Sequence, residues 1–212
     1  MIGLAFKAAS MMNDKPSIPN INFNIKGDLK PIIKHLDKLQ RKQIPFASAN
    51  AINTTLFDIM KAEKAQLPKK LDRPKNYTIK AFKINKAKKT RLVGDIHVIP
   101  KKYEYLKYAI EGGTRTGNVL VPTKHAKLNK FGNIPGLKDG KKLKKNQYKA
   151  KINNTYGVWE RTKTRTKLII LFTKTATYKK RFPFYKIADG VARKKFQRNF
   201  KKALSRAMRT AR

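Results

Sequence analysis

The sequence predicts an α+β fold, in which an antiparallel sheet is packed by a long N-terminal helix and a basic C-terminal helix. Three observations lead to this prediction. Apolar residues recur at spacings of three and four near both ends of the chain, which is the pattern of amphipathic helices. Between these segments the period changes to two, which is typical of half-buried strands. Helices that flank a run of antiparallel strands favour a sheet with its helices on one face.

Residues 1–27 predict an extended N-terminal arm. The segment NDKPSIPNINFNIKG contains two prolines and four asparagines, a composition that interrupts regular structure. A single strand and a disordered tail both fit this composition. Residues 28–212 are predicted to form a single α+β domain.

Two helices are predicted at the start of this domain. Asp28 can cap a short amphipathic helix that stops before Pro45. Pro45 then suits the first turn of a second, longer helix, which Pro68 ends. One face of the longer helix is predicted to lie in the core: Ala49, Ile52, Leu56, Ile59, Met60 and Glu63.

The middle of the chain predicts strands. Two alternating runs, over residues 77–83 and 92–98, flank the polar segment NKAKKT and predict a hairpin. The next segment, KYEYLKYAI, fits either a strand or a helix. Residues 117–157 contain a dense lysine run and predict a long basic loop insertion, and loops of that length are usually functional or disordered. A continuous apolar run from Leu168 to Phe172 predicts a buried strand.

The last segment predicts a basic amphipathic helix that begins near Tyr185. Between Lys179 and Arg212 there are thirteen basic residues and one acid, Asp189. Such a helix can pack on a sheet with its apolar face and present a basic ridge with the other.

The charge of the chain predicts an acidic partner. Lys and Arg number 52 against 12 Asp and Glu, which gives a formal net charge of +40. A compact body with this charge repels itself, so we expect something acidic to neutralise it. Nucleic acid is the commonest such partner, because each phosphate contact releases a counterion. An acidic protein and an anionic membrane are lesser alternatives.

Lysines outnumber arginines heavily, and this ratio favours neutralisation of a phosphate backbone over the reading of bases. Arginine makes the bidentate contacts that read guanine, whereas lysine is a hydrated point charge. An AT-rich genome also favours lysine, but it does not explain the scarcity of acids. No run approaches the ~18 apolar residues of a membrane span, and the N-terminus is a poor signal peptide. We therefore expect a soluble, intracellular or virion-bound protein without a membrane partner.

The stretch EGGTRTGN, residues 111–118, has the glycine spacing of a phosphate-binding loop. Asn118 and Val119 stand where that loop needs Lys and Ser or Thr. No helix pattern follows, so no helix dipole would face an anion. The glycines therefore predict a sharp turn after the segment YLKYAI, where positive φ is needed.

Candidates for catalysis and metal binding are few. The chain has no cysteine, which excludes disulfides and thiolate metal sites. His35, His97 and His125 lack ligand neighbours at metal-binding spacing. Asp95 and His97, two apart on a predicted strand, are the best acid–base pair, although a structural ion pair is the favoured interpretation. We expect no enzymatic activity, no cofactor, no metal and no small-molecule substrate.

Basic residues cluster at two predicted turns and next to the glycines. The residues expected to face nucleic acid are Lys86, Lys88, Lys89, Arg91, Arg115, Arg161, Lys163 and Arg165. Alternate spacing predicts that residues 161, 163 and 165 share one strand face. Tyr156 and Trp159 lie nearby and either stack bases or belong to the core. No zinc-finger, RNP or helix-turn-helix signature is present, so sequence-specific recognition has no support.

Three stretches resemble phage virion proteins, in patches from Pro45 to Leu204. PFASANAINTTLFDIMKAEKAQL, with its A-x-N at residues 49–53, resembles the long first helix of phage minor tail proteins of the lambda Z type. FPFYKIADGVARKKFQRNFKKAL resembles the closing segment of the broader head–tail joining, or tail-completion, group. YAIEGGTRT is similar to the E-x-G-T-R turn of that group, through Tyr108, Glu111, Gly113, Thr114 and Arg115.

The resemblance implies a structural role in the virion of a tailed phage, in the tail or neck. The protein would complete the tail and join it to the head near the DNA exit channel, as copies in a ring, after assembly in the host cytoplasm. Its implied partners are tail, neck or portal proteins, further copies of itself, and packaged double-stranded DNA bound without sequence preference. The implied partner contacts are Glu111, Gly113, Thr114, Arg115, Phe182 and Phe184.

Two other functions stay open. Extended basic segments also suit a cellular nucleic-acid-binding structural protein, such as a ribosomal component. A small DNA-processing nuclease would use Asp95 and His97.

Overall fold

The computed structural model describes residues 6–7, 18–24, 38–134 and 143–210. Most of the short helix predicted from Asp28, including His35, lies outside these residues, as does most of the predicted arm. The described residues form helices and antiparallel sheets, with a long N-terminal helix and a C-terminal helix, which confirms the α+β class. Their contacts define two units: unit 1 holds the residues up to 70, 76–106 and those from 182, and unit 2 holds 71–75 and 107–181.

Unit 1 contains a four-stranded antiparallel sheet in the order β1-β2-β4-β3. Its strands are β1 (Phe6–Lys7), β2 (Asn20–Asn24), β3 (Phe82–Asn85) and β4 (Val93–Val98). β3 and β4 form the predicted hairpin, with Phe82 opposite Val98 and Asn85 opposite Asp95. Alternate residues of β4 are buried, as expected for a strand with one face on the core.

Two helices supply most of the core of unit 1. α1 (Lys38–Lys70) and α4 (Phe184–Arg209) pack against each other. α1 buries one stripe that includes Ile52, Leu56 and Ile59, as its periodicity predicts. The buried stripe of α4 begins at Phe184 and continues through Ala188, Ala192, Phe196, Phe200 and Ala207.

Pro45 and Pro68 do not bound the long helix. α1 runs from Lys38 through both prolines to Lys70, so the break predicted before Pro45 is wrong. A proline inside a helix costs about 3 kcal/mol, because it removes a backbone donor. Each fully buried Ile or Leu side chain contributes roughly 1.5–3 kcal/mol, so the buried stripe of α1 offsets this cost.

Two further segments are helical, one just before the β3–β4 hairpin and one just after it. Residues 76–79, predicted to begin the first hairpin strand, instead form a single helical turn, α2 (Asn76–Ile79). The backbone N–H of Lys80 closes this turn by donating to the carbonyl oxygen of Asn76 at 3.0 Å. The ambiguous segment KYEYLKYAI is helical and forms most of α3 (Pro100–Ile110).

Unit 2 contains the second four-stranded antiparallel sheet, in the order β5-β8-β7-β6. Its strands are β5 (Gly113–Pro122), β6 (Gln147–Ile152), β7 (Thr155–Arg161) and β8 (Thr166–Tyr178). Three buried residues, Val158, Ile169 and Ile170, form its core, against which Phe172 and several loop residues pack. The predicted buried strand at 168–172 is therefore the centre of β8, and the predicted insertion at 117–157 includes β6 and parts of β5 and β7.

Candidate nucleic-acid interface

The β3–β4 turn, residues 86–91, carries the first predicted group of cations, and α1 holds it in place. The side-chain amide of Asn53 on α1 brackets Ala87 in the turn. Asn53 Nδ2 donates to the carbonyl oxygen of Ala87 at 3.0 Å, and Asn53 Oδ1 accepts from its N–H at 2.8 Å. Lys88 and Arg91 close the turn with backbone hydrogen bonds of 3.0 and 2.9 Å.

The cations of the β3–β4 turn are therefore presented from a fixed backbone. The side chains of Lys86, Lys88, Lys89 and Arg91 are all exposed. Lys86 Nζ lies 5.4 Å from the ring centre of Phe57 on α1, which is within the range of a cation–π contact. Sequence reasoning missed Asn53 as a support, because the bond joins residues 34 positions apart and leaves no local pattern.

The β7–β8 turn, residues 162–165, carries the second group. Thr162 closes it: its N–H donates to the carbonyl oxygen of Arg165 at 2.9 Å, and its Oγ1 donates to the same oxygen at 2.6 Å. The predicted shared strand face for residues 161, 163 and 165 is wrong, because strand pairing ends at Arg161 opposite Thr166. Arg161, Lys163 and Arg165 are nevertheless all exposed at the same end of the sheet.

The two nearby aromatic residues have different surroundings. Trp159 is partly buried, and its indole N–H donates to the carbonyl oxygen of Ala150 at 3.1 Å. Tyr156 is 50% exposed, with its ring edge-on to Phe172 at a centroid distance of 5.1 Å. Trp159 therefore stabilises the sheet through this hydrogen bond, whereas the ring of Tyr156 is exposed to solvent.

The stretch EGGTRTGN forms the predicted sharp turn and the start of β5. Gly112 and Gly113 have φ values of 76° and 112°, a region that favours glycine. Thr114 and Arg115 follow on β5, which is an edge strand of the described sheet. Both side chains are exposed, and Thr114 Oγ1 lies 3.1 Å from Thr177 Oγ1 on β8.

Phe182 and Phe184, predicted as partner contacts, are fully buried in unit 1. Their rings stack on Phe82, at centroid distances of 6.1 and 5.7 Å. Burying two phenylalanine rings stabilises the core more than exposing them would, so neither side chain offers a surface to a partner in this fold.

Asp95 and His97 lie together on β4. His97 Nδ1 is 2.8 Å from Asp95 Oδ2, and Asn85 Nδ2 donates to both oxygens of the same carboxylate at 3.1 Å. The side chains of His97 and Asp95 are 20% and 17% exposed. Among the described residues, no group of three or more His, Asp or Glu side chains could hold a metal ion. The arrangement is a hydrogen-bonded pair whose carboxylate is oriented by an asparagine.

Asp58 ties α1 to α4. Its two carboxylate oxygens accept hydrogen bonds of 3.1 Å from Lys195 Nζ and Asn199 Nδ2 on α4. Burial alone would raise the pKa of Asp58, but these hydrogen bonds and the charges of Lys195 and Arg198 lower it below its usual value. Asp58 is therefore ionised at neutral pH and fixes the orientation of α4.

Glu63, five residues further along α1, has the opposite environment. Its side chain is fully buried, and neither carboxylate oxygen has a hydrogen-bond partner. Burial raises the pKa of the Glu63 carboxyl to about 9. Its place on the buried stripe of α1 puts a neutral carboxylic acid in the core at pH 7.

Comparison of this chain with protein-family models, with curated proteins and with solved structures found no match. The resemblance to phage tail proteins therefore stays a prediction. Within the described part of the chain, no helix combines the length and the apolar character that crossing a membrane requires.

Proposed function

We propose that this chain is a non-enzymatic structural protein of a tailed-phage virion, in the tail or neck, where it completes the tail and joins it to the head. The observation that carries the proposal is the exposure of its predicted DNA contacts. All eight side chains are exposed on the described surface: Lys86, Lys88, Lys89, Arg91, Arg115, Arg161, Lys163 and Arg165.

The fixed backbone of the two basic turns suits contact with the phosphates of DNA that passes the protein, without recognition of its base sequence. Each turn is closed by short hydrogen bonds, so its cations come from a fixed backbone. Contacts to phosphates position a protein on a duplex but carry no sequence information. A ring of such chains around the DNA exit channel would neutralise phosphate charge wherever the duplex lies.

The start of β5 suits the proposed contact between neighbouring copies. β5 is an edge strand of the described sheet, and its residues from Gly113 to Asn118 are exposed. An edge strand presents unpaired backbone groups to another chain. Thr114 and Arg115, which carry the resemblance to the E-x-G-T-R turn, lie on this segment.

Disruption of the gene in a phage that encodes this chain tests the proposal. We expect DNA-filled heads and separate tails by negative-stain microscopy, and joined particles when the intact chain is supplied from a plasmid. Antibody raised against the chain should label the junction of normal particles. Normal particles without the chain, or copurification of the chain with ribosomal RNA, would contradict the proposal.

A nuclease is the second candidate function, because Asp95 and His97 do lie in contact. A nuclease that uses this pair would lose DNA cleavage when Asp95→Asn removes the carboxylate. DNA cleavage is measured after the intact chain and this variant are each incubated with duplex DNA and Mg²⁺. We expect no cleavage by either protein, and cleavage by the intact chain alone would support the nuclease.

A further inference from the structure

We infer that the solvent face of α4 is the principal surface that binds the phosphate backbone of nucleic acid. We call this face the cationic ridge, and define it as Lys194, Arg198, Lys201, Lys202, Arg206 and Arg209. All six side chains are exposed. The inference rests on the proposed function, because it names the surface that meets the DNA.

The spacing of the ridge is regular. Lys194, Arg198, Lys202 and Arg206 follow one another at intervals of four residues, which is a rise of about 6 Å per interval. Like charges at this spacing destabilise a helix. The helix dipole accounts for cations in the last turn only, so the stability of α4 does not explain the spacing of the ridge.

The ridge is also rigidly supported. The opposite face of α4 is buried in unit 1, where Phe196 and Phe200 are 4% and 5% exposed. Lys195 and Asn199 bind Asp58 on α1 and so fix the rotation of the helix. The salt bridges between described residues involve Arg193 and Lys195 but none of the ridge cations. The helix that carries the ridge is therefore fixed in place, and no salt bridge between described residues competes with a ligand for the ridge cations.

The chemistry of the ridge favours phosphate over a lipid surface. A basic amphipathic helix binds a membrane by inserting its apolar face, but the apolar face of α4 is already buried in the core. An open surface depression of about 430 Å³ on the ridge is bordered by four of its cations and one hydroxyl group: Lys201, Lys202, Ser205, Arg206 and Arg209. This set of donors matches phosphate oxygens.

The length of the ridge favours a nucleic-acid backbone over an acidic protein. Residues 194–209 span about 24 Å of helix. Duplex DNA presents one phosphate charge about every 1.7 Å along its axis, counted over both strands, so phosphates are available along the whole length of the ridge. An acidic polypeptide presents carboxylates only where its sequence places them, whereas every nucleotide of a duplex carries a phosphate.

Two variants of the full chain with the same change of net charge test the inference. The ridge variant combines Lys194→Gln, Arg198→Gln, Lys202→Gln and Arg206→Gln. The control variant combines Lys42→Gln, Lys61→Gln, Lys69→Gln and Lys70→Gln, which are exposed lysines of α1. Binding to random 30-bp duplex DNA is measured by fluorescence anisotropy over a range of salt, and circular dichroism checks that each variant is folded.

We expect the ridge variant to lose at least about a hundredfold in affinity at low salt, and its slope of log affinity against log salt to fall by about 3–4. The control variant should keep most of its affinity for DNA at low salt and most of its salt slope. Equal losses in the two variants would show that net charge alone matters and would overturn the inference, while the proposed function would stand. Absence of DNA binding by the intact chain would overturn the DNA role in the proposed function as well. Tighter binding to poly-glutamate than to DNA at the same salt would assign the ridge to an acidic protein.

Discussion

Unit 1 and unit 2 both expose cations, but the two units support them differently. The ridge of unit 1 lies on a long helix whose other face is buried and whose rotation is fixed by Asp58. The basic turn of unit 2 joins two strands over a core of Val158, Ile169 and Ile170. Both units leave some large apolar side chains exposed, such as Phe57 in unit 1 and Tyr156 in unit 2.

The difference shows that charge count alone does not identify a binding surface. The six cations of the ridge extend along about 24 Å of helix, whereas the three cations of the β7–β8 turn lie within five residues. We therefore expect the ridge to dominate affinity and the β7–β8 turn to add a smaller share. The following substitutions test the stability of each unit and the contribution of each basic surface to DNA affinity.

Gly157→Ala should have the largest effect, and should act on unit 2. A Cβ at this position would overlap the backbone carbonyl oxygen of Ile170 on β8, and a core of this size has little room to adjust. We expect unit 2 to be destabilised by more than about 3 kcal/mol. Hydrogen exchange measured by mass spectrometry should show loss of protection in β7 and β8 but not in α1 and α4.

Gly190→Ala on α4 is the matched control, because a Cβ there meets nothing within 4 Å. Replacement of a helical glycine by alanine should stabilise α4 by about 0.5–1 kcal/mol. Equal destabilisation of both units by Gly157→Ala would show that the two units unfold together.

Glu63→Gln should have the next largest effect, and should stabilise unit 1. The pKa of Glu63 is raised from 4.5 to about 9, so wild-type stability is full below pH 4.5 and falls as pH rises toward 9. Glutamine removes this dependence. At pH 7 the variant should be more stable by roughly 3 kcal/mol, and the difference should grow from pH 5 to pH 9 in urea unfolding. A difference that stays constant over this range would show that Glu63 is ionised in the folded chain.

Asp58→Asn should have a smaller effect of the opposite sign. The pKa of Asp58 is lowered in the fold, so its contribution is present above its unfolded value of 3.8 and is lost as pH falls below that value. We expect the variant to be less stable by about 1 kcal/mol at pH 7, because Lys195 is partly exposed and its ion pair is screened. The difference should shrink below pH 3.8 in the same urea experiment. A loss that is unchanged at low pH would mean that packing, and not charge, is what Asp58 contributes.

Neutralising the β7–β8 turn should have the smallest effect on DNA binding. Combined Arg161→Gln, Lys163→Gln and Arg165→Gln should lower affinity for duplex DNA by less than about tenfold at low salt and reduce the salt slope by about 1. Fluorescence anisotropy titrations of the turn variant and the ridge variant under the same conditions compare the two losses of DNA affinity. A loss as large as that of the ridge variant would reverse the ranking of the two surfaces.

Elements with a strong apolar period were predictable from the sequence. α1, α4, the β3–β4 hairpin and the centre of β8 each bury a stripe or run whose spacing is visible in the residues. The errors came where local signals conflict with packing. Pro45 signals a helix boundary, but the buried stripe of α1 continues through it.

Other features depended on contacts between distant residues. β6 was hidden in a lysine-rich segment, because Lys149 and Lys151 alternate with Tyr148 and Ala150 in a strand that becomes evident only when it pairs with β7. The bond from Asn53 to Ala87 spans 34 residues, so no local pattern could predict it. The cations of α4 were predicted as a basic ridge, but the bond from Lys195 to Asp58 on α1 joins residues 137 positions apart and is not visible in the sequence.

Salt dependence of DNA binding by the intact chain is the most direct test of phosphate neutralisation, on which the proposed function depends. Affinity for random duplex DNA is measured by anisotropy between ~50 and ~200 mM salt. With six or more phosphate contacts, affinity should fall roughly a thousandfold or more over this range. An affinity that is flat across the range would contradict the account.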